Sequence, residues 1–261
     1  MNIVILGASA LATAQRLQAL YPQAVIHGLR GRADGAERHY DDFGDTLRAL
    51  YRAGEPLVAL CAAGTLPAEL HKLWRASRPG NYHMEYGYSC MGYEVAGGLG
   101  VKMARPEQES IVLVGDGSYM MANSELATSL LLGKKMIVVI LDNRGYGCIQ
   151  RLQTATGSPA FNNLLDDCVP EGGERSTIDF AMHARSMGAD AVHVKDVVEL
   201  KAAMVNARQA KRTQVIVIDT THTRTTDGGC WWEVAIPEVS DRREVNEAHA
   251  NYRQGQAQQR V

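Results

Sequence analysis

Short apolar runs that alternate with helical patterns constrain the fold of this chain more than any other feature of its sequence. Three runs read as buried strands, "SIVLVG", "MIVVILD" and "QVIVIDT", and helical patterns stand between them. Strands that are apolar on both faces and joined by helices are typical of a parallel sheet covered on both sides. The sequence therefore predicts an α/β fold, a parallel sheet with helices on both faces.

A smaller pattern of the same kind precedes these strands. "NIVIL", "AVIHGL" and "PLVALCA" read as short strands, and "ALATAQRLQAL" and "DTLRALYRAG" read as helices between them. The Gly7, Ala8, Ser9 turn follows a strand and opens a helix, so its amides could hold a phosphate. It lacks the third spaced glycine of a dinucleotide fingerprint, and a tight turn is the better interpretation.

Charge and cysteine content exclude several classes of function. Lys and Arg number 27 against 29 for Asp and Glu, without long runs of one sign, which disfavours a nucleic-acid partner. Five cysteines without a CxxC pair indicate reduced thiols, and we expect a cytoplasmic protein. The opening residues lack the pattern of a signal peptide, and no segment approaches the roughly 20 apolar residues of a membrane span, so no membrane partner is expected.

One turn carries the residues best suited to chemistry. In "VGDGSYMMANSEL", Asp116 stands between Gly115 and Gly117, where an apolar strand ends and a helix begins. Asn143 follows the next strand, and parallel strands place both residues at the same edge of the sheet. Carboxylate, amide and carbonyl oxygens suit Mg²⁺ holding a phosphate, which the amides of Gly117 and Ser118 would also face.

These residues carry a resemblance to a known family. "GDGS" followed by "ILDN" resembles the diphosphate-binding signature of the thiamine diphosphate enzymes. The resemblance implies that Asp116 and Asn143 bind Mg²⁺ through their side chains and that Gly145 binds it through its carbonyl oxygen. It also implies that Ser118 contacts the cofactor diphosphate, with Gly115 and Gly117 shaping the turn.

The resemblance extends upstream, to "SCMG". Met91 falls where the family places a large apolar side chain under the bent cofactor, and the carbonyl of Ser89 would accept a hydrogen bond from the aminopyrimidine. Without the downstream motif, Met91 would be interpreted as a core residue of a glycine-rich helix. In that helix we expect small residues to allow close approach to another backbone or to a ligand, with close helix packing alone as a sufficient explanation: Gly92, Ala96, Gly97 and Gly100.

Three longer stretches are similar to one subfamily: "NYHMEYGYSCMGYEVAGGLGVKMA", "LLGKKMIVVILDNRGYGCIQRLQ" and "GGCWWEVAIPEVS". This subfamily comprises the thiamine diphosphate-dependent C–C hydrolases that open trihydroxycyclohexanedione, a cyclic polyhydroxy 1,2-dione, to 5-deoxyglucuronate in inositol catabolism. The resemblance implies a small-molecule dione substrate and a cofactor that serves as electron sink for C–C cleavage. It covers residues 61–240, which we predict to be a thiamine diphosphate and Mg²⁺ domain followed by a polar tail over residues 241–261.

Within these stretches, polar side chains are candidates for substrate contact. His83 and Glu85 are two, with a surface or packing role as the alternative, and His222 and Arg224 follow the last strand at the same sheet edge. The pair Trp231 and Trp232 is better interpreted as packing or interface.

The resemblance also implies a glutamate that activates the cofactor. In the family it comes from a separate pyrimidine-binding domain, which reaches the cofactor of a neighbouring subunit, and residues 1–60 are too few for the pyrimidine domain and the middle domain together. We therefore leave the catalytic residues unknown and expect a homo-oligomer or a pyrimidine-domain partner.

Residues 1–60 instead resemble a segment of cobalamin-biosynthesis proteins, the cobalt-precorrin hydrolase and precorrin methyltransferase families. The stretches "IVILGASALATAQRLQALYPQAVIHGLRGR" and "YDDFGDTLRALYRAGEPLVALCAAG" carry this resemblance. Alternatives to the hydrolase are thus a catalytically incomplete binding module or chimeric fragment, and a cobalamin-biosynthesis protein.

Overall fold

A computed structural model describes residues 57–76, 78–223, 225 and 234–259 in full and residues 2–6 and 25–29 as backbone. The predicted N-terminal helices and the Gly7 turn lie outside these residues. The strands are β1 Asn2–Leu6, β2 Val25–Leu29, β3 Leu57–Cys61, β4 Tyr82–Met84, β5 Glu109–Gly115, β6 Ile137–Asp142, β7 Asp190–Val194 and β8 Gln214–Asp219. The helices are α1 Thr65–Leu73, α2 Tyr93–Ala104, α3 Asp116–Met121, α4 Glu125–Leu131, α5 Gly147–Ala155, α6 Phe180–Ser186, α7 Val197–Gln209 and α8 Arg243–Gln258.

Six strands form one parallel sheet in the order β4-β3-β5-β6-β8-β7, which confirms the predicted fold class. β1 and β2 pair with each other in a separate parallel ladder. The strand β3 is buried along its whole length and pairs with β5, with Leu57 opposite Glu109. The six-stranded sheet therefore includes Leu57, which lies ahead of the predicted domain start at residue 61, and the division into domains stays a prediction.

The connections between successive strands explain why helices cover both faces of the sheet. The connections β3 to β4 and β7 to β8 run in one direction along the sheet, and the other connections run in the opposite direction. Because crossovers between parallel strands are right-handed, opposite directions place helices on opposite faces. Accordingly, α1 and α7 pack on one face, and α2, α4 and α6 pack on the other.

Each face of the sheet carries one hydrophobic cluster. Successive side chains of a strand point to opposite faces, so a strand that is apolar throughout supplies both clusters. In β5, Ile111 and Leu113 join the first cluster, and Val112 and Val114 join the second. Since all four side chains are completely buried, β5 anchors both layers and fixes the position at which its last residue leaves the sheet.

The strand order also creates a crevice at the carboxyl edge of the sheet. β3 continues outward to β4, whereas its neighbour β5 continues in the opposite direction to β6. Ligands of open α/β sheets bind at such a reversal, outside the carboxyl ends of the two strands. The turn at Asp116 directly follows β5 and borders this crevice, so topology and motif indicate the same place.

Helix α2 packs closely against the sheet, but not at every small residue that we expected to allow it. A Cβ atom on Gly97 would lie 2.7 Å from the Tyr93 ring, and one on Gly98 would lie 2.2 Å from Cγ2 of Val112. Gly100 has open space around it, and Ala96 is exposed. The close approach of α2 therefore depends on Gly98. The sequence prediction did not name this residue, because only the folded chain shows which face of the helix meets β5.

This difference gives a matched pair of substitutions on one helix. We expect Gly98→Ala to lower the free energy of unfolding by about 1–3 kcal/mol, since the added methyl group must displace Val112. Gly100→Ala should raise it by up to about 1 kcal/mol, because alanine favours the helix and meets no neighbour. Urea denaturation of both variants measures the two effects, and a stabilised Gly98→Ala variant would contradict the packing described here.

The predicted polar tail contains a helix over much of its length. α8 buries Val245 and is otherwise mostly exposed, as its polar sequence indicates. Glu244 contacts Gly157, whose φ of +86° and crowded Cβ position favour glycine. In the described part of the chain, no helix has the length and apolar character needed to cross a membrane.

Candidate functional site

Asp116 lies at the centre of the candidate site, as the first residue of α3. Its carboxylate is 2% exposed and accepts two hydrogen bonds from the loop that follows β6. The N–H of Asn143 donates to Oδ1 over 3.4 Å, and the N–H of Gly145 donates to Oδ2 over 2.6 Å. The predicted meeting of the β5 and β6 ends at one edge of the sheet is thereby confirmed.

Burial and a neighbouring acid raise the pKa of the Asp116 carboxyl. Removal from water, followed by the charge of Asp142, raises the pKa of the Asp116 carboxyl from 3.8 to about 6, although backbone donors oppose the shift. Both causes disfavour a bare negative charge at this position. A bound cation would remove the penalty, because it supplies the opposite charge that the protein leaves out.

Two further oxygen atoms fit a metal ion beside Asp116. The side-chain oxygen Oδ1 of Asn143 is buried and has no hydrogen-bond partner among the described residues. The Gly145 carbonyl oxygen faces the Asp116 turn, since a Cβ on Gly117 would lie 3.6 Å from it. A carboxylate, an amide oxygen and a carbonyl oxygen form the hard donor set that Mg²⁺ prefers, so the residues fit the ion that the sequence predicts.

Gly117 and Gly145 surround the predicted ion site, and their neighbours leave no room for a side chain at either position. Gly145 has a φ of +136°, and a Cβ there would lie 2.5 Å from the carbonyl oxygen of Asn163. A Cβ on Gly117 would lie 2.6 Å from the Tyr146 ring. Backbone conformation at the first position and close approach at both positions therefore favour glycine.

A cavity of about 240 Å³ opens beside the Asp116 turn and Gly145. It is lined by Asp116, Gly117, Gly145 and Tyr146. Further lining residues come from α3, α6 and the segment after α5: Met120, Asn162, Asn163, Leu164, Leu165, Cys168, Ile178 and Phe180. The cavity thus adjoins the predicted metal ligands and has both polar and apolar walls, as a ligand site requires.

An ion pair joins the loop after β6 to the segment around Leu165, which lines the cavity. Arg144 donates from Nε and Nη2 to Oδ1 of Asp166, at 3.2 and 2.9 Å, and also to the carbonyl of Ser176. Its backbone carbonyl accepts from Leu165, and the pairing of Leu165 and Arg144 continues the bridge between Gly145 and Leu164. The guanidinium lowers the pKa of the Asp166 carboxyl, as expected for a charge-assisted pair.

The hydroxyl of Ser118 is bonded within the protein. It donates to Oε2 of Glu94 over 2.7 Å and accepts from the N–H of Gly92 over 2.7 Å. Both contacts are buried, and Ser118 itself is 4% exposed. The backbone amide of Ser118, near the start of α3, is then the group of this residue that is available to a diphosphate.

The loop that carries Ser89 and Met91 lies next to α3. Gly92 begins α2 with a φ of +88°, and a Cβ there would lie 2.9 Å from Cβ of Ala122. Ser89 is exposed and has a positive φ of 51°, a strained conformation for a residue other than glycine. Met91 is half-buried beside it, so the structure leaves both residues accessible near the Asp116 turn.

Of the candidates for substrate contact, Glu85 and His83 have internal partners. The Glu85 carboxylate accepts from the N–H groups of Tyr88 and Cys90, which lower the pKa of this carboxyl and hold the loop before Met91. His83 is hydrogen-bonded through Nε2 to the Tyr93 hydroxyl at 2.8 Å, with the two rings stacked. For both side chains, these contacts support the alternative to substrate contact, a surface or packing role.

His222 lies at the predicted sheet edge, after β8. A Cβ on Gly147 would lie 2.6 Å from the Cβ of His222 and 3.1 Å from Nδ2 of Asn143. The His222 carbonyl accepts a hydrogen bond from Arg151, which also donates to Thr65. The structure therefore brings His222 next to the predicted ligand Asn143. Arg224, Trp231 and Trp232 lie outside the described residues.

Sequence reasoning did not find three residues that organise this site: Glu94, Arg151 and the Asp166 partner of Arg144. Glu94 gave a usable signal, since a carboxylate in an otherwise small and apolar helix must find buried donors. Arg151 and Asp166 stand in ordinary polar surroundings in the sequence. Their contacts join residues that are distant along the chain, and no local pattern indicates them.

Comparison with known proteins places this geometry in a family. The family model "Thiamine pyrophosphate enzyme, C-terminal TPP binding domain" matches residues 62–219, more than half of the chain. The 3D-(3,5/4)-trihydroxycyclohexane-1,2-dione hydrolase of Halalkalibacterium halodurans is 42% identical over 197 residues, which are 74% of this chain and 30% of the relative. The enzyme of the same name from Bacillus subtilis (strain 168) is 40% identical over 196 residues, 75% of this chain and 30% of the relative.

Solved structures agree on the fold. The thiamine diphosphate-dependent 4-hydroxybenzoylformate decarboxylase of Rhodococcus jostii RHA1 superimposes with a TM-score of 0.61 at 19% identity, over 74% of this chain and 34% of that protein. The benzoylformate decarboxylase of Polynucleobacter necessarius gives a TM-score of 0.60 at 16% identity, over 76% of this chain and 36% of that protein.

Two facts limit what is shared with these proteins. The chain spans about 30% of the length of the curated relatives it matches. The family match also leaves the cobalamin-like resemblance of residues 1–60 as a prediction. Within these limits, the family match, the parallel sheet and the Asp116 turn agree, and the chain belongs to the thiamine pyrophosphate enzymes through their C-terminal TPP-binding domain.

Proposed function

We propose that this chain holds thiamine diphosphate and Mg²⁺ at the carboxyl ends of β5 and β6. Asp116 and Asn143 bind the ion through side-chain oxygens, and Gly145 binds it through its carbonyl oxygen. The amides of Gly117 and Ser118 face the diphosphate at the start of α3. The buried Asn143 oxygen, which has no hydrogen-bond partner in the described part of the chain, is the observation that carries this assignment, because a buried polar atom needs a partner.

For the rest of the cofactor, the proposal uses the loop before α2. Met91 supports the cofactor from below, and the carbonyl of Ser89 accepts a hydrogen bond from the aminopyrimidine. The position of this loop beside α3, where Gly92 donates to Ser118, supports the assignment. When bound, the cofactor supplies an electron sink for the cleavage of a C–C bond next to a carbonyl group.

The proposed reaction is the hydrolytic ring opening of a cyclic polyhydroxy 1,2-dione, trihydroxycyclohexanedione, to 5-deoxyglucuronate in inositol catabolism. The support is the 42% and 40% identity to two hydrolases of that name. Among the described candidates His83, Glu85 and His222, the proposal favours His222 for substrate contact, since it lies beside Asn143 with its carbonyl held by Arg151. Its imidazole would offer a hydrogen-bond donor to a hydroxyl or carbonyl of such a substrate.

The activating glutamate, in this proposal, comes from a pyrimidine-binding domain of another subunit or polypeptide. Exposed apolar side chains near the site, Tyr86, Tyr88, Met120 and Met121, suit an interface with such a domain. We divide the chain into residues 1–60, the cofactor domain 61–240 and the tail 241–261.

A second candidate function is cofactor binding without turnover. A chain that binds the cofactor but receives no activating acid would hold thiamine diphosphate without opening the ring of a substrate. The two candidates differ in the exchange of the cofactor C2 proton, which the activating acid accelerates.

The deciding experiment uses the full 261-residue chain with thiamine diphosphate and Mg²⁺. Calorimetry measures binding, NMR measures H/D exchange at the cofactor C2, and an assay with trihydroxycyclohexanedione measures ring opening. Because the proposal places the activating glutamate on another subunit or polypeptide, exchange and ring opening are measured with the chain alone and with a pyrimidine-binding domain added. The hydrolase predicts binding in both cases, and accelerated exchange with Mg²⁺-dependent product in at least one of them. Exchange at the solution rate in both cases indicates the binding module, and absence of binding would overturn both candidates.

A further inference from the structure

Glu94 is a completely buried carboxylate, in the first turn of α2, that the proposed function does not use. It accepts three hydrogen bonds. The N–H of Ala63 donates to Oε1 over 3.2 Å, and the N–H of Gly92 and the hydroxyl of Ser118 donate to Oε2 over 3.1 and 2.7 Å. A buried carboxylate is costly unless it is bonded in this way, so the three donors hold it firmly and it holds them.

The three donors come from three separate segments at the sheet edge. Ala63 follows β3, Ser118 follows β5, and Gly92 ends the loop that carries Ser89 and Met91. β3 and β5 are the two strands whose connections leave in opposite directions, so Glu94 spans the crevice in which a ligand of this fold binds. Ser118 and Gly92 are also joined to each other by a hydrogen bond, which closes the network.

We propose that Glu94 is a positioning residue of the cofactor site. It fixes three segments in one arrangement: the residues after β3, the start of α3 and the loop that carries Ser89 and Met91. The inference rests on the proposed function, since the last two of these segments are the ones assigned to the diphosphate and the aminopyrimidine. Glu94 acts through Gly92 and Ser118 and has no proposed contact with the cofactor. Its removal leaves the predicted Mg²⁺ ligands intact and frees the segments around them.

Glu94→Gln tests the proposal with almost no change in volume. Glutamine has one acceptor oxygen, and its NH₂ group must face either Ala63 or the Gly92 and Ser118 pair, so at least one buried donor loses its partner. We expect the dissociation constant for thiamine diphosphate with saturating Mg²⁺ to rise about 10-fold or more. Glu94→Asp, which keeps the charge but is shorter, should lie between Glu94→Gln and the parent chain.

Ser129→Ala is the matched control. Ser129 is also completely buried, and its hydroxyl joins Leu126 and Thr213 near the opposite edge of the sheet, where β8 begins. It should lower the urea midpoint as Glu94→Gln does and leave the dissociation constant unchanged. If Ser129→Ala weakens cofactor binding as much as Glu94→Gln, the effect is loss of stability, and the proposal is overturned.

A readout without cofactor separates this inference from the proposed function. In the cofactor-free chain, hydrogen exchange of the Ala63 and Gly92 amides should be about 10-fold faster in Glu94→Gln than in the parent chain, and unchanged in Ser129→Ala. A parent chain that takes up no thiamine diphosphate defeats the proposed function, and the exchange rates still test the network. Unchanged exchange and unchanged affinity in both Glu94 variants would overturn the role of Glu94.

Discussion

Asp116→Ala is expected to abolish measurable binding of thiamine diphosphate with Mg²⁺. The substitution removes the charged ligand of the proposed metal site and leaves only neutral oxygens, those of Asn143 and Gly145, to compete with water for the ion. It also takes away the acceptor for the N–H groups of Asn143 and Gly145, which then face a cavity. We expect affinity to fall by roughly 1,000-fold, about 4 kcal/mol, by isothermal titration calorimetry.

The control for this prediction is an exposed carboxylate at the opposite edge of the sheet. Asp190 is the first residue of β7, is solvent-exposed and accepts a hydrogen bond from Gln214. Asp190→Ala makes the same change of net charge, so it should leave the affinity unchanged. Retained binding in Asp116→Ala, or equal losses in both variants, would show that the Asp116 turn is not the cofactor site.

The pH dependence of the metal-free chain provides a second measurement on Asp116. Its pKa is raised from 3.8 to about 6 in the folded state, so the native state holds this proton more tightly than the unfolded state. The resulting stabilisation is complete below pH 3.8 and is lost as the pH rises through about 6. Asp116→Ala removes this contribution, so the parent chain should lose stability relative to the variant between pH 4 and 6, and the difference should level off above that window.

The fold of this chain was predictable because its strands are buried on both faces. An uninterrupted apolar run such as Ile111 to Val114 has no polar side to place in water, which requires helices on both faces of the sheet. The same strands carry Asp116 and Asn143 at their ends, so the meeting of these residues follows from the parallel arrangement. Local sequence therefore determined both the layers and the edge on which the site lies.

Contacts between distant segments were not predictable in the same way. Whether Gly98 or Gly100 meets β5 depends on the rotation of α2, which the several small residues in the middle of the helix leave open. The sequence indicates a contact between Ser118 and the diphosphate, but it does not indicate the partner of the Ser118 hydroxyl, because that partner, Glu94, lies on another helix. Side chains with several chemically suitable partners need the tertiary structure to decide between them.

Asn143→Leu is expected to separate function from stability at a single position. The Oδ1 atom of Asn143 is buried without a hydrogen-bond partner in the described part of the protein, so its replacement by an apolar side chain of similar size removes a cost rather than a contact. The free energy of unfolding of the metal-free chain should stay the same or rise by about 1 kcal/mol. Binding of thiamine diphosphate with Mg²⁺ should weaken by at least about 100-fold, because a proposed ligand of the ion is lost.

Asn163 is the control position for this prediction, because its side chain is hydrogen-bonded. Its side-chain nitrogen donates to Gln150 and Gln153, so Asn163→Leu should lower the free energy of unfolding by about 1–3 kcal/mol in urea denaturation without metal. Opposite stability effects at two asparagines of one site would show that Asn143 is kept unsatisfied for a ligand. If Asn143→Leu destabilises the metal-free chain as much as Asn163→Leu does, its oxygen already has a partner, and the assignment of Asn143 as a metal ligand loses its main support.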